Sequence, residues 1–365
     1  MFKFFKAQLA FKRAAQANSQ SNKLIRYLVS AQNWSINHDG ECLMANLPRP
    51  IGELTISHKG IHQGIFHFGG IADALSHGKM RWPQAKISCG LTWFHVLEND
   101  KRLKLVPELD KRLDFWHSSC QSTLDRLIAC GATASKTHCI PLGVDTDIFT
   151  VATQQQKLKL RQQLGIDDDA IVIGSFQKDG RGWNNGQHGK MEKGPDVLCD
   201  VLESLAKSNK LFVLLSGPAR GYVKNRLRAS GIAFYHTGYL PHANDVAPYF
   251  QALDIYLIPS RIEGGPKACL EAPACGIPLV STNVGMVPDI IKHGHQGLVA
   301  DVGDTRTLIE HCQAIIEDPN LAKNLSQNGR TMAQNYTWKN IAQRYYDELY
   351  LPILEGQAAV TASLK

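Results

Sequence analysis

No cysteine in the chain has another three positions away, and the total of nine is odd. This argues against a disulfide framework and a zinc ribbon, and fits a reducing, cytoplasmic setting in which cysteine serves as a small apolar residue. No apolar run reaches the ~18 residues that a membrane-spanning helix requires. No repeat at a solenoid period and no low-complexity stretch occurs. Acids are missing altogether from residues 1–23, where Lys3, Lys6, Lys12, Arg13 and Lys23 carry five of the seven surplus positive charges. The remaining surplus is too small for a nucleic-acid groove over the body of the protein. Phe2, Phe4, Phe5, Leu9 and Phe11 interleave with those cations in a basic amphipathic tail, a pattern suited to peripheral contact with the inner face of an anionic membrane. The stretch is too broken for a secretory signal.

What is present is a 365-residue chain with 44% apolar residues, enough for two domains with buried cores. Short β-rich runs alternate with helical patterns, which predicts parallel sheets with crossover helices. Strands are expected at 24–31, 54–57, 64–68, 85–91, 115–120 and 137–140, with a helix at 122–130. A second series follows at 171–176, 211–216, 233–237, 255–259, 278–282 and 297–300. Helices at 195–207, 222–229, 245–252, 266–275, 287–292 and 305–317 fill its gaps. The unalternated Ile, Val and Leu runs predict strands covered on both faces. Residues 154–163 turn polar and read as a linker, so the expected organisation is a tail at 1–23, a domain at 24–153, a second domain at 165–335 and a helix at 337–355. In that helix Trp338, Ile341, Ala342, Tyr345 and Leu349 recur at helical spacing behind Thr337, either packed on their own domain or reaching back to the first.

The most informative stretch is Pro259-Ser260-Arg261-Ile262-Glu263-Gly264-Gly265-Pro266-Lys267-Ala268-Cys269-Leu270-Glu271. It leaves a buried strand, passes two glycines and enters a helix through proline. Gly264 and Gly265 let the backbone approach a ligand, and the amides of Lys267 and Ala268 open a helix whose positive end suits a diphosphate. Glu263 stands before the helix. Glu271 lies two turns along, where a carboxylate suits the vicinal hydroxyls of a ribose. Loops at the carboxyl ends of parallel strands are where open α/β sheets bind ligands.

With these residues the sequence resembles the retaining glycosyltransferases of family 4, which have the two-domain GT-B fold. The two glutamates eight apart carry the resemblance, with 274–280, the run Asn283-Val284-Gly285-Met286-Val287-Pro288-Asp289, Lys193-Gly194-Pro195-Asp196, and Ile140-Pro141-Leu142-Gly143-Val144-Asp145 with Phe149. It implies two doubly wound Rossmann-like domains facing across a cleft, and transfer of a sugar from a nucleotide-sugar donor to a glycan or lipid-linked acceptor in cell-surface polysaccharide or lipopolysaccharide synthesis. Carried onto this chain, Glu263 contacts the donor sugar, Glu271 the ribose and Lys193 the diphosphate. His95, after the strand at 85–91, resembles the first-domain histidine that contacts the donor sugar and stabilises its developing positive charge. Lys193 and the amide dipoles neutralise the departing diphosphate, so no metal and no cofactor is expected.

The chain departs from the family in three places. Ser175 stands where the family has an arginine, and Arg181 in the insertion at 178–190 is the candidate second cation. The segment 34–40 replaces a paired-glycine loop, and Pro273 predicts a kink in the helix that carries Glu271. These departures keep a second reading in view, a non-catalytic nucleotide-sugar or carbohydrate-binding protein on a degenerate scaffold. A nicotinamide dehydrogenase would need Gly-x-Gly-x-x-Gly after a strand. The only Gly-x-Gly, Gly180-Arg181-Gly182, lacks the third glycine at its place.

Overall fold

A computed structural model describes residues 2–31, 35–85, 87–97 and 99–363. The chain forms two compact units. The first runs up to Gly143 and resumes at Trp338, and the second is Val144–Thr337.

The first unit holds β1 (Ile25–Leu28), β2 (Gly52–Thr55), β3 (Ile65–Phe68), a small antiparallel ribbon of β4 (Leu75–Ser76) and β5 (Lys79–Met80), then β6 (Ser88–Thr92), β7 (Phe115–Ser118) and β8 (Thr137–Cys139). Its six-stranded sheet is parallel throughout, in the order β2-β1-β3-β6-β7-β8. The second strand begins two residues earlier than its apolar run, because Glu53 is drawn into register with Arg26 and pairs with it at 2.9 Å.

The second unit holds β9 (Ile171–Phe176), β10 (Leu211–Ser216), β11 (Ala233–His236), β12 (Ile255–Ile258), β13 (Leu279–Thr282) and β14 (Leu298–Ala300), all parallel, in the order β11-β10-β9-β12-β13-β14. Strand order reverses between β9 and β12, the switch point at which doubly wound sheets take ligands. Ile173, Val213, Leu215, Leu257 and Val280 are buried against Leu198, Val201 and Leu202 of the helix Pro195–Leu205, so the sheet is a covered, rigid platform. The expected doubly wound α/β architecture is the observed one.

The segment read as a linker is instead a helix, Gln154–Gln163, closed by a capping box between Thr153 and Gln156. Its attachment is ionic. Lys157 and Arg161 reach opposite oxygens of Asp254 at 2.8 and 2.7 Å, and the oxygen that meets Arg161 also accepts the Val172 N–H. Burial alone would raise the Asp254 carboxyl, and the two cations outweigh it and hold the group below its usual range.

The tail at 1–23 is also helical over Phe2–Gln20, and the Asn18 amide anchors it to the Ser57 and Lys59 carbonyls at 3.0 and 2.8 Å. Leu9 is exposed. Trp34, at the head of the segment that replaces the family's glycine pair, lies outside the described residues, and the rest of it enters the helix Ser35–Ala45.

From Trp338 the chain packs on the first unit. Tyr345 ends one helix, a π-turn spans Tyr346–Tyr350, and a further helix follows. Five residues apart, Tyr345 and Tyr350 would stand ~140° apart around an α-helix, and the wider turn brings both hydroxyls to the same face. That face meets a buried polar chain. The Ile140 carbonyl can only accept, so His117 Nε2 carries a proton toward it at 2.9 Å. His117 Nδ1 therefore accepts from Thr92 at 2.9 Å, and Thr92 Oγ1 accepts from His67 Nε2 at 2.8 Å. His67 Nδ1 in turn accepts from Tyr350 at 2.7 Å, and Tyr345 also contacts His117. Every link is satisfied with both histidines neutral. His67 is a structural histidine at a strand end.

Candidate functional site

Lys193 and Glu263 come from the loops that follow β9 and β12, on either side of the switch point. Lys193 Nζ donates to Glu263 Oε2 at 2.6 Å, and Ser260 Oγ donates to Oε1 at 2.9 Å. The lysine remains a quarter exposed and the glutamate less.

The two loops are laced by their backbones. Arg261 and Ile262 both donate N–H to the Glu192 carbonyl, at 2.9 and 3.0 Å. The Arg261 guanidinium forks onto Asp196 in the first turn of Pro195–Leu205, at 2.8 and 2.7 Å, and that bond holds the Asp196 carboxyl below its usual range. Gly194 turns through φ 61°, and a methyl group there would stand 2.0 Å from the Pro259 carbonyl oxygen. The glycine of the Lys-Gly pair is thus what lets Lys193 lie against the end of β12. Gly194→Ala is expected to cost the left-handed strain of about 1–2 kcal/mol and the collision besides, lowering the melting temperature by several degrees. An unchanged melting temperature in a thermal scan would contradict this packing.

Gly264 is buried, and its carbonyl accepts the Met286 N–H at 2.8 Å. Gly285, at φ 56°, permits this contact, because a methyl there would lie 2.4 Å from the Gly264 oxygen and 3.0 Å from Glu263 Cβ. The run 283–289 is therefore the backstop of the Glu263 loop. Gly265 and Lys267 are half-buried, and Lys267 caps the helix Ala268–Ala274. Glu271 lies in that helix, half-buried, with its N–H on the Lys267 carbonyl. Only Ala274 follows Pro273 in the helix, so little of it is left to kink. Pro273 falls in the last turn, and the helix closes two residues later through Gly276 N–H to the Pro273 carbonyl and Ile277 N–H to the Ala272 carbonyl, a Schellman ending. Both glutamates act on one buried locus: burial first, then the charges of Glu271 and Glu263, push the Tyr256 hydroxyl and the Cys269 thiol upward.

The remaining candidates lie elsewhere. His95 belongs to the first unit, exposed, three residues beyond β6, with its carbonyl held by the Trp93 indole at 3.1 Å. Arg181 is exposed in the excursion between Asp179 and Lys190, where its backbone N–H donates to the His188 carbonyl at 2.8 Å. Among the described residues, the cation paired with Glu263 is Lys193, not Arg181. A guanidinium does reach Ser175, but from the far side. Arg220, wholly buried, donates to the Ser175 carbonyl at 2.5 Å and the Ser216 carbonyl at 3.0 Å, with Nε 2.9 Å from Asp179. Reading the sequence missed Arg220, Gln177 and the Arg261–Asp196 fork, because each pairs with a residue distant in the chain. No three metal-ligating side chains converge among the described residues.

Residues 187–332 match the family model for glycosyl transferases group 1. A D-inositol 3-phosphate glycosyltransferase of Jonesia denitrificans is 28% identical over 228 residues, 58% of this chain and 50% of that one. A sulfoquinovosyl transferase of Arabidopsis thaliana is 24% identical over 61% of this chain and 42% of its own length. The chain thus spans about half the length of the curated relatives it matches. Among solved structures, HepE of Anabaena with UDP and glucose superposes with a TM-score of 0.74 at 17% identity, over 89% of this chain and 98% of that one. The sucrose-phosphate synthase of Thermosynechococcus elongatus gives 0.72 at 17% identity, over 92% and 100%. The two six-stranded parallel sheets agree with these likenesses: residues 187–332 match the group 1 glycosyl transferases, and the chain has the GT-B fold of its solved neighbours.

Proposed function

We propose that the protein is a retaining glycosyltransferase that moves a sugar from a nucleoside-diphosphate donor to a glycan or lipid-linked acceptor, without a metal ion. The observation that carries this reading is the Lys193–Glu263 pair at the switch point, one cation and one carboxylate at 2.6 Å on a rigid parallel sheet. Departure of a nucleoside diphosphate builds negative charge, and a positioned ammonium with nearby loop amides stabilises that charge. Glu263, already accepting from Ser260 and Lys193, presents its remaining lone pairs to sugar hydroxyls. Glu271 takes the ribose. A solved GT-B neighbour was crystallised with UDP-glucose, which makes UDP sugars the first donors to try. The basic helix at the N-terminus, with Lys12 and Arg13 exposed, supports contact with an anionic membrane surface on the cytoplasmic side.

A panel of UDP, GDP and ADP sugars scored by thermal shift tests the reading. A cognate donor at ~100 times its dissociation constant is expected to stabilise the chain by ~2.7 kcal/mol. Transfer to an acceptor should then proceed in the presence of a chelator, with the donor's anomeric configuration kept in the product. No shift with any donor would contradict the reading, and binding without turnover on any acceptor would point to a sugar-nucleotide-binding protein instead.

A further inference from the structure

The carboxyl end of β9 carries side chains that the sequence motifs do not account for. Gln177, the residue after β9, donates its side-chain amide to the Lys193 carbonyl at 3.1 Å. That carbonyl precedes the helix Pro195–Leu205, whose ladder begins with Leu198 N–H on the Gly194 carbonyl, so it has no place in the ladder. Gln177 is itself held from behind. Its own carbonyl accepts from Arg220 at 3.1 Å. Arg220 and Asp179 are both fully buried, 2.9 Å apart, and the Asp179 carbonyl accepts the Lys190 N–H at 2.7 Å, which closes the base of the excursion leading to Lys193.

We propose that Gln177 is a positioning residue for Lys193, held in its own place by the Arg220–Asp179 pair. The inference rests on the reading that Lys193 meets the donor's diphosphate. A lysine is a point charge on a flexible four-carbon stem, so its aim depends on the backbone that carries it. The Met191–Lys193 turn has one side fixed to the Glu263 loop through Glu192. Gln177 fixes the other side. The serine at 175 is consistent with this arrangement: a small hydroxyl there accepts from Arg220 at 3.2 Å and leaves room for the guanidinium that aligns Gln177.

Gln177→Met keeps the length and removes the donor. It should weaken binding of UDP, or whichever of UDP, GDP and ADP the unaltered chain holds most tightly, by about tenfold. Gln177→Glu should weaken it more, because a carboxylate would then face the Lys193 carbonyl beside Asp179. In hydrogen exchange, amides at 191–197 should open faster in Gln177→Met while the rest of the second unit and the melting temperature stay as they were. A side chain that merely fills space would lower the melting temperature and leave Met and Glu alike. Unchanged exchange at 191–197, or unchanged nucleotide affinity in Gln177→Met while Lys193→Ala loses it, would overturn the positioning role and leave the functional reading standing. Undiminished nucleotide binding by Lys193→Ala would overturn the functional reading itself, and this inference with it.

Discussion

Glu263→Ala is expected to lower sugar transfer by about a hundredfold or more with little change in stability. The two effects separate because the carboxylate's charged partner is not in the core. Lys193 is a quarter exposed, so losing Glu263 returns its ammonium to partial hydration, and an ion pair of this kind contributes little to folding. The catalytic cost has a different origin. Glu263 is fixed at both oxygens before substrate arrives, by Lys193 at 2.6 Å and Ser260 at 2.9 Å, so orienting it for a sugar hydroxyl requires no reorganisation at the moment of reaction. Glu263→Gln keeps the shape and the Ser260 contact and should lose less. Steady-state rates on a cognate donor and acceptor, beside a thermal melt, measure both quantities. Transfer at an undiminished rate in the alanine variant would remove Glu263 from the chemistry.

The second large effect concerns acid. His67 and His117 are fully buried, and burial lowers both, His117 to about 3, with the charges of His138 and Arg344 pressing it further down. Asp39 acts on Tyr27 and Tyr345 beside them, and burial remains the leading cause at both histidines. Both folded-state values lie below the unfolded value of ~6.5, so between those limits the unfolded chain binds more protons. Stability is therefore full above about pH 6.5 and falls as pH drops through the window toward 3. His117 contributes about 1.4 kcal/mol per pH unit inside it, and His67 acts in the same direction. The hydrogen-bond order gives the reason in structure: a proton added to His67 Nδ1 would meet the Tyr350 hydroxyl's own donor, and one added to His117 Nδ1 would meet that of Thr92. Thermal melts from pH 7.5 to 4.5 should show the steepest loss below 6.5, with hydrogen exchange rising first in the segment after Trp338 that carries Tyr345 and Tyr350. A flat profile down to pH 5 would contradict the neutral, directional chain.

The central strands were legible because burial on both faces leaves continuous apolar runs such as 211–216. The acid–glycine–helix stretch was legible because its parts are consecutive. Helix 154–163 was hidden because it attaches by Lys157 and Arg161 to Asp254 and shows no apolar stripe. The helix Ser35–Ala45 was hidden by Gly40, which the interior requires: a methyl group there would press on Tyr27 and Val29 at 3.0 Å. Residues that hold the site from behind are the least legible of all. Arg220 lies 45 residues from Ser175, and Gln177 lies 16 from Lys193, so no local spacing announces either contact.

The central claim is that Lys193 answers the diphosphate and Glu263 the sugar. Calorimetry with a nucleoside diphosphate and with the corresponding nucleotide sugar separates the two. Lys193→Ala should weaken both ligands alike, whereas Glu263→Gln should weaken the nucleotide sugar and leave the diphosphate bound as tightly as before. Equal weakening of both ligands by Glu263→Gln, or of neither by Lys193→Ala, would contradict the assignment.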